Sequence, residues 1–177
     1  MASSTLEVEA GWNLIGSVED TVDVENITTT PSGILSSDFF RLPPGQGYEP
    51  AASLHPGEGY WIKVSEAGTL DLSGGSAPLA RSSKAADESA EAHHLVFEDA
   101  SGRQTKLLLK EGLTPEQRSA FELPPIPPGG VFDIRFASGH KAAPLASEGE
   151  LERSATKHRM EVQGVDFPIE VRLEQES

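Results

Sequence analysis

Glycine and proline, spread along the whole chain, constrain its fold more than any other feature. The 177 residues include 17 glycines and 13 prolines. Proline breaks helix interiors and glycine favours turns, so the stretches between them suit short strands better than long helices. The spacing therefore predicts a mainly β protein with many loops.

Two β modules are predicted, because apolar side chains concentrate in two stretches of a chain long enough for two domains. Residues 5–73 form the first, a compact β module, and residues 93–175 form the second, a β-sandwich module. Between them, residues 74–92 are rich in Ser, Ala, Gly and charged side chains, with Leu79 as the only large apolar residue. That composition is typical of a linker.

Strand patterns in the first module are short. Leu6 and Val8 alternate with glutamates, as in a half-buried strand. Residues 59–64, Gly-Tyr-Trp-Ile-Lys-Val, form the clearest strand because they are rich in aromatic and β-branched side chains. Residues 69–72 are predicted to be the hairpin partner of that strand, and the polar stretch 28–33 is predicted to be a loop or a sheet edge.

The second module carries turn and capping signals. A turn at 98–102 lies between residues 95–97 and 105–109, which predicts a β-hairpin. Thr114, followed by Pro115 and Gln117, matches a capping box at the start of a short helical turn. Together these signals predict an immunoglobulin-like sandwich with one short helical turn.

Two later segments of the second module alternate strictly. Residues 132–136 place Phe132, Ile134 and Phe136 on one face, which predicts core positions. Asp133 and Arg135 share the other face of that segment, where we expect a weak surface ion pair. In the last strand, residues 167, 169, 171 and 173 are apolar and predict one dry face.

Charge excludes several classes of partner. The formal net charge is −14, so the surface repels the phosphate backbone of nucleic acids and anionic membranes. There is no cysteine, and no apolar run approaches the roughly 20 residues that span a bilayer. The first four residues also lack the pattern of a signal peptide, so we expect any export signal to lie outside this chain.

Two motifs resemble modules of known secreted proteins. Residues 11–16 (GWNLIG) and 54–63 (LHPGEGYWIK) form the first motif, and residues 121–136 (FELPPIPPGGVFDIRF) form the second. They resemble modules found near the C-termini of large secreted proteins of Bacteroidetes-type bacteria, before a sorting domain of the type IX secretion pathway. The resemblance implies a secreted or cell-surface location and a β-sandwich-like fold, and it implies no catalytic residues.

No motif for nucleophilic, metal-dependent or phosphate chemistry occurs in the sequence. His93 and His94 are adjacent on a predicted strand and point to opposite sides, so they cannot bind one metal together. Asp99, Ser101 and Gly102 resemble part of a calcium loop, but a hairpin turn is the favoured interpretation. The dispersed carboxylates, which in pairs could hydrolyse glycosides, indicate a solvated surface.

We therefore predict a non-enzymatic spacer or accessory region of an exported bacterial protein. It needs no cofactor and no metal, its partners are neighbouring domains of the same parent protein, and we expect a monomer. The alternative is a carbohydrate-binding module, with polysaccharide as the partner. Its candidate ligand-binding residues are Trp61, Lys63, Tyr48 and Trp12, because exposed aromatic rings stack on sugars; the competing interpretation places these aromatics in the core.

Overall fold

The computed structural model describes residues 5–16, 19–73, 92–145 and 157–175. The protein is mainly β with several antiparallel sheets, as the sequence predicts. It divides into two compact units: unit 1 is Met1–Pro43 with Tyr48–Ser82, and unit 2 is Pro44–Gly47 with Ser83–Ser177. Apart from Ala92, the predicted linker lies outside the described residues.

In its described residues, unit 1 consists of short strands and a 3₁₀ turn, Val24–Asn26. Its strands are β1 (Thr5–Val8), β2 (Gly11–Gly16), β3 (Val22–Asp23), β4 (Thr28–Thr30), β5 (Phe40–Arg41), β6 (Glu49–Pro50), β7 (Ser53–Leu54), β8 (Gly59–Val64) and β9 (Gly68–Asp71). They form three antiparallel sheets with the orders β1-β9-β4, β2-β8-β5-β6 and β3-β7. The threonine-rich strand β4 lies at a sheet edge, as predicted.

One hydrophobic core closes unit 1. Strand β8 supplies Tyr60, Ile62 and Val64, which alternate along the strand and are fully buried. Leu70 of β9 and Leu54 of β7 contribute from the other two sheets. Because all three sheets turn one face inward, residues that are far apart in sequence share this core.

The predicted hairpin between β8 and residues 69–72 is wrong. Strand β8 pairs with β2 and β5, whereas β9 pairs with β1 and β4. The chain crosses from one sheet to another at residues 65–67, so that Leu70 reaches the same core from a second sheet. Glycine at position 68 allows β9 to lie this close to β4. Any side chain there would clash, because its Cβ atom would lie 2.5 Å from the Thr30 carbonyl oxygen.

The described residues of unit 2 form a four-stranded sheet, a two-stranded sheet and a short helix. Its strands are β10 (His93–Asp99), β11 (Gln104–Glu111), β12 (Asp133–Phe136), β13 (Ala142–Leu145), β14 (Met160–Gln163) and β15 (Ile169–Gln175). The orders are β13-β11-β10-β15 and β12-β14; β13 runs parallel to β11, and the other pairs are antiparallel.

Helix α1 (Pro115–Ser119) begins with the predicted capping box. The Thr114 hydroxyl accepts a hydrogen bond from the Gln117 amide at 3.2 Å, and the Gln117 side chain accepts one from the Thr114 amide at 3.0 Å. The described ranges contain no helix long and apolar enough to cross a membrane.

The core of unit 2 lies between its two sheets. Phe132, Ile134 and Phe136 are buried, as predicted, and pack with Phe97 and Leu107 of the larger sheet. A smaller apolar cluster that includes Leu108 and Phe121 lies on the opposite face of the larger sheet. The arrangement is sandwich-like.

Asp133 and Arg135 do not form the weak surface pair that the sequence predicts. Both are buried, and the Arg135 side chain is only 2% exposed. The proline-rich segment covers this second face of β12: Arg135 Nη1 donates a hydrogen bond to the Pro124 carbonyl at 2.7 Å. The expected wet face is therefore a second buried face.

The predicted dry face of the last strand is also wrong. Phe167, Val171 and Leu173 are 76%, 55% and 64% exposed, and Ile169 is half-buried. Strand β15 is the last strand of the larger sheet, and the opposing sheet has only two strands in the described structure. Nothing in the described part of unit 2 therefore covers most of this apolar row.

Candidate functional site

Aromatic and apolar side chains gather on the outer face of the sheet formed by β2, β8, β5 and β6. The strand register places Trp12 opposite Lys63, Leu14 opposite Trp61, and Phe40 opposite Trp61. Residues that are directly opposite in an antiparallel pair project to the same side of the sheet. We call this set of five side chains the aromatic face.

The core of unit 1 determines which side of β8 faces outward. Because Tyr60, Ile62 and Val64 are buried, the alternation of the strand turns Trp61 and Lys63 to the other side. Trp61 is half-buried there and is not part of the core cluster. In the described structure, Trp61 therefore lies on the side of the sheet that points away from the core of unit 1.

Two of the rings on the aromatic face contact each other. Trp12 and Phe40 pack edge to face, with ring centroids 6.0 Å apart and an interplanar angle of 60°. Leu14, beside Trp61, is 64% exposed. The face thus presents half-buried rings, an exposed aliphatic side chain and one ammonium group, a combination that suits a ligand with both apolar faces and hydroxyls.

Local hydrogen bonds fix the backbone around the aromatic face. The Asn13 side chain accepts from the Glu9 amide at 3.0 Å and donates to the Glu9 and Gly11 carbonyls at 2.7 and 3.0 Å. This ties together the turn from β1 to β2 that precedes Trp12. On the next strand, the Lys63 amide donates to the Ser37 hydroxyl at 2.9 Å.

Of the four candidate residues, the structure brings three together: Trp12, Trp61 and Lys63. Tyr48 is half-buried immediately before β6, outside the paired strands. Sequence reasoning did not include Leu14 or Phe40 among the candidates. The exposure of Leu14 follows from its alternation with the buried Ile15, but the position of Phe40 depends on the pairing of β5 with β8, for which the sequence carries no local signal.

Tyr60, which lies within the motif at residues 54–63, has a structural role. Its hydroxyl accepts from the His55 amide at 2.7 Å and donates to Glu58 Oε2 at 2.8 Å, which ties the turn before β8 to the core. Burial raises the pKa of Tyr60, and Glu58 raises it further, against the opposing effect of the His55 amide.

Asp99, considered above for calcium, is the centre of a hairpin turn, as the favoured interpretation predicts. Its carboxylate accepts hydrogen bonds from the amide and hydroxyl of Ser101, from the amide and guanidinium of Arg103, and from the Asp166 amide, at 2.6 to 3.1 Å. Burial alone raises the pKa of Asp99, but these donors outweigh it and hold the pKa well below its usual range. Both carboxylate oxygens are already used by the turn.

His93 and His94 are half-buried at the start of β10. His158 packs edge-on against Phe136, with ring centroids 5.4 Å apart. Among the described residues, no group of three or more His, Cys, Asp or Glu side chains is placed to hold a metal ion.

Comparisons of the chain with protein-family models, with curated proteins and with solved structures give no match.

Proposed function

We propose that the chain is a non-catalytic accessory region that spaces a separate functional domain of an exported bacterial protein. The observation that carries this proposal is that each unit closes a hydrophobic core of its own. The buried charges of unit 2 serve its own structure: Asp99 holds a turn, and Asp133 pairs with Arg135. The motif resemblance supports the secreted or surface location, and the sandwich-like unit 2 supports an immunoglobulin-like assignment.

The test is a replacement in the parent gene. Residues 5–175 are exchanged for an unrelated pair of β-domains of similar length, and a second strain lacks the region entirely. We expect the replacement to retain the activity and surface location of the parent protein better than the deletion does. A replacement that performs no better than the deletion would show that this chain supplies something more specific than spacing.

The aromatic face supports a second candidate function, binding of polysaccharide by unit 1. Trp61 and Trp12 lie on one face with the exposed Leu14, while Lys63 adds a hydrogen-bond donor beside the rings. Aromatic rings contact the apolar faces of sugar rings, and a flanking donor can bind hydroxyl groups. The two functions are compatible, since an accessory region can also hold its parent protein on a polysaccharide.

Tryptophan fluorescence measures sugar binding at the aromatic face directly, because Trp12 and Trp61 are the only tryptophans in the chain. We expect the tryptophan emission to change as a polysaccharide that binds this face is added. Trp61→Ala should weaken binding about two- to tenfold, from an aromatic contact of about 0.5–1.5 kcal/mol. Phe167→Ala, which removes an exposed aromatic of unit 2, is the control and should leave binding unchanged. The candidate fails if Trp61→Ala and the original chain bind a glycan panel equally.

A further inference from the structure

Among the residues that the structure describes, nothing pairs with the second edge of strand β15 or covers most of its apolar face. Within residues 92–145 and 157–175 it pairs only with β10. Its side chains Val171 and Leu173 are more than half exposed, although they project to the same side as the core residues Phe97 and Leu95 of β10. Exposed edges of this kind readily pair with another strand.

The sequence of β15 is complementary to itself when two copies run antiparallel. Residues 169–173 read Ile-Glu-Val-Arg-Leu. With a two-fold axis at Val171, Ile169 faces Leu173 of a second copy, Glu170 faces Arg172, and Val171 faces its own equivalent. Apolar residues then meet apolar residues on one face, and opposite charges meet on the other.

Other registers are less favourable. An axis at Arg172 would place two arginines opposite each other, and an axis at Glu170 would do the same with two glutamates; like charges that are directly opposite destabilise a sheet. An axis at Leu173 still pairs Arg172 with Glu174, but it leaves Ile169 without a partner and runs out of strand at Gln175. The charges therefore select the axis at Val171.

Glu170 lies opposite a like charge in the register of the larger sheet. The register of β10 and β15 places it directly opposite Glu98, and Arg172 Nη2 is hydrogen-bonded to Glu98 Oε2 at 2.8 Å. Among the described residues, no ion pair to Glu170 is present. A second copy would bring its own Arg172 to this carboxylate and relieve the repulsion.

The small sheet leaves an apolar residue uncovered as well. Val162 of β14 pairs with the buried Ile134 and so projects to the core side, yet it is 44% exposed. A two-fold axis normal to the larger sheet keeps the apolar faces of both copies on the same side. Pairing through β15 would therefore make one continuous eight-stranded sheet with a joined apolar face.

We propose that unit 2 forms a homodimer by antiparallel pairing of β15 with β15 of a second copy, with the two-fold axis at Val171. This revises the monomer that the sequence predicts. The interface is isologous, and the Glu170–Arg172 contact occurs twice in it.

Analytical ultracentrifugation of the full chain tests the proposal, over about a hundredfold range of concentration because dimerisation depends on mass action. We expect a species of about twice the 18.9 kDa chain mass to increase with concentration. Val171→Lys places two ammonium groups at the axis and should abolish it. Ile126→Lys, the matched control, introduces the same charge at a similarly exposed apolar position of unit 2 outside β15 and should leave it unchanged.

A charge exchange fixes the register. Glu170→Arg alone should give a monomer, because two positive charges then face each other across the axis. Adding Arg172→Glu restores the opposite charges and should restore the dimer, and the new arginine at 170 also faces Glu98 within its own chain. Circular dichroism checks that each variant is folded. A chain that stays monomeric at the highest concentration, or a dimer that survives Val171→Lys, would overturn the proposal.

Discussion

Replacing Asp133 with alanine leaves the buried guanidinium of Arg135 without its counter-charge. In the intact protein the carboxylate accepts from Arg135 Nε at 2.6 Å and from Nη2 at 2.8 Å, and the Pro124 carbonyl accepts from Nη1. Two of the three contacts disappear in the variant, while the surrounding core still excludes water. The arginine must then stay buried without its counter-charge or unpack the segment that covers it.

The expected cost is large for a unit of this size. Removing one partner of a buried ion pair costs about 3–5 kcal/mol, against a total domain stability of about 5–15 kcal/mol. At a urea dependence of about 2 kcal/mol per molar, the midpoint of unit 2 should fall by about 2 M. Replacing both partners, as Asp133→Ala with Arg135→Met, removes the stranded charge and should recover most of the loss.

Urea unfolding followed by far-UV circular dichroism measures these changes, and tryptophan fluorescence reports unit 1 separately, since both tryptophans belong to it. Lys106→Ala is the matched control: it breaks the exposed pair with Glu174 in the same unit, at 3.0 Å, and should cost less than about 1 kcal/mol. If Asp133→Ala costs no more than Lys106→Ala, the buried pair does not stabilise unit 2 as argued.

Three further predictions concern single positions. Because the pKa of Asp99 is lower in the folded than in the unfolded protein, its contribution to stability is present above about pH 4 and is lost as pH falls. Asp99→Asn should therefore flatten the acid dependence of stability in urea titrations, compared with the unchanged protein. Tyr60→Phe should lower the fluorescence-detected stability of unit 1 by about 1–3 kcal/mol, since two hydrogen bonds of about 0.5–1.5 kcal/mol each are lost. Gly68→Ala should lower the melting temperature of unit 1 clearly more than Gly59→Ala, whose added methyl group has no neighbour closer than 3.7 Å.

Each of these has a contrary result. If the acid dependence of stability persists in Asp99→Asn, other carboxylates cause it. Unchanged stability of Tyr60→Phe would mean that the turn at 55–58 does not depend on the hydroxyl. Equal melting temperatures for the two glycine variants would mean that the close approach of β4 to β9 is absent in solution.

Local patterns in the sequence predict much of this fold. The strand at 59–64, the hairpin around Asp99 and the capping box at Thr114 all depend on residues close together in the chain, and the structure contains all three. The same holds for the apolar alternation at 132–136. In each case the determining contacts, a turn, a cap or a strand period, are made within a few residues.

What the sequence does not predict depends on long-range packing. The shared core of unit 1 determines which strand pairs with β9. The pairing of β5 with β8 determines the position of Phe40 on the aromatic face. The sequence pattern predicts that Asp133 and Arg135 are solvated, but in the structure the proline-rich segment covers them. The exposure of Val171 follows from the number of strands in the opposing sheet, which no local pattern encodes.

Separate cores in the two units are the claim on which the proposals about spacing depend. Ile62 is buried in the core of unit 1 and Leu107 in that of unit 2, and alanine at either position should cost about 2–5 kcal/mol. The most direct measurement is the urea midpoint of tryptophan fluorescence in the two variants. We predict that Ile62→Ala lowers this midpoint and that Leu107→Ala leaves it unchanged while lowering the circular dichroism transition of unit 2. A Leu107→Ala variant that lowers the fluorescence midpoint as much as Ile62→Ala would contradict the account.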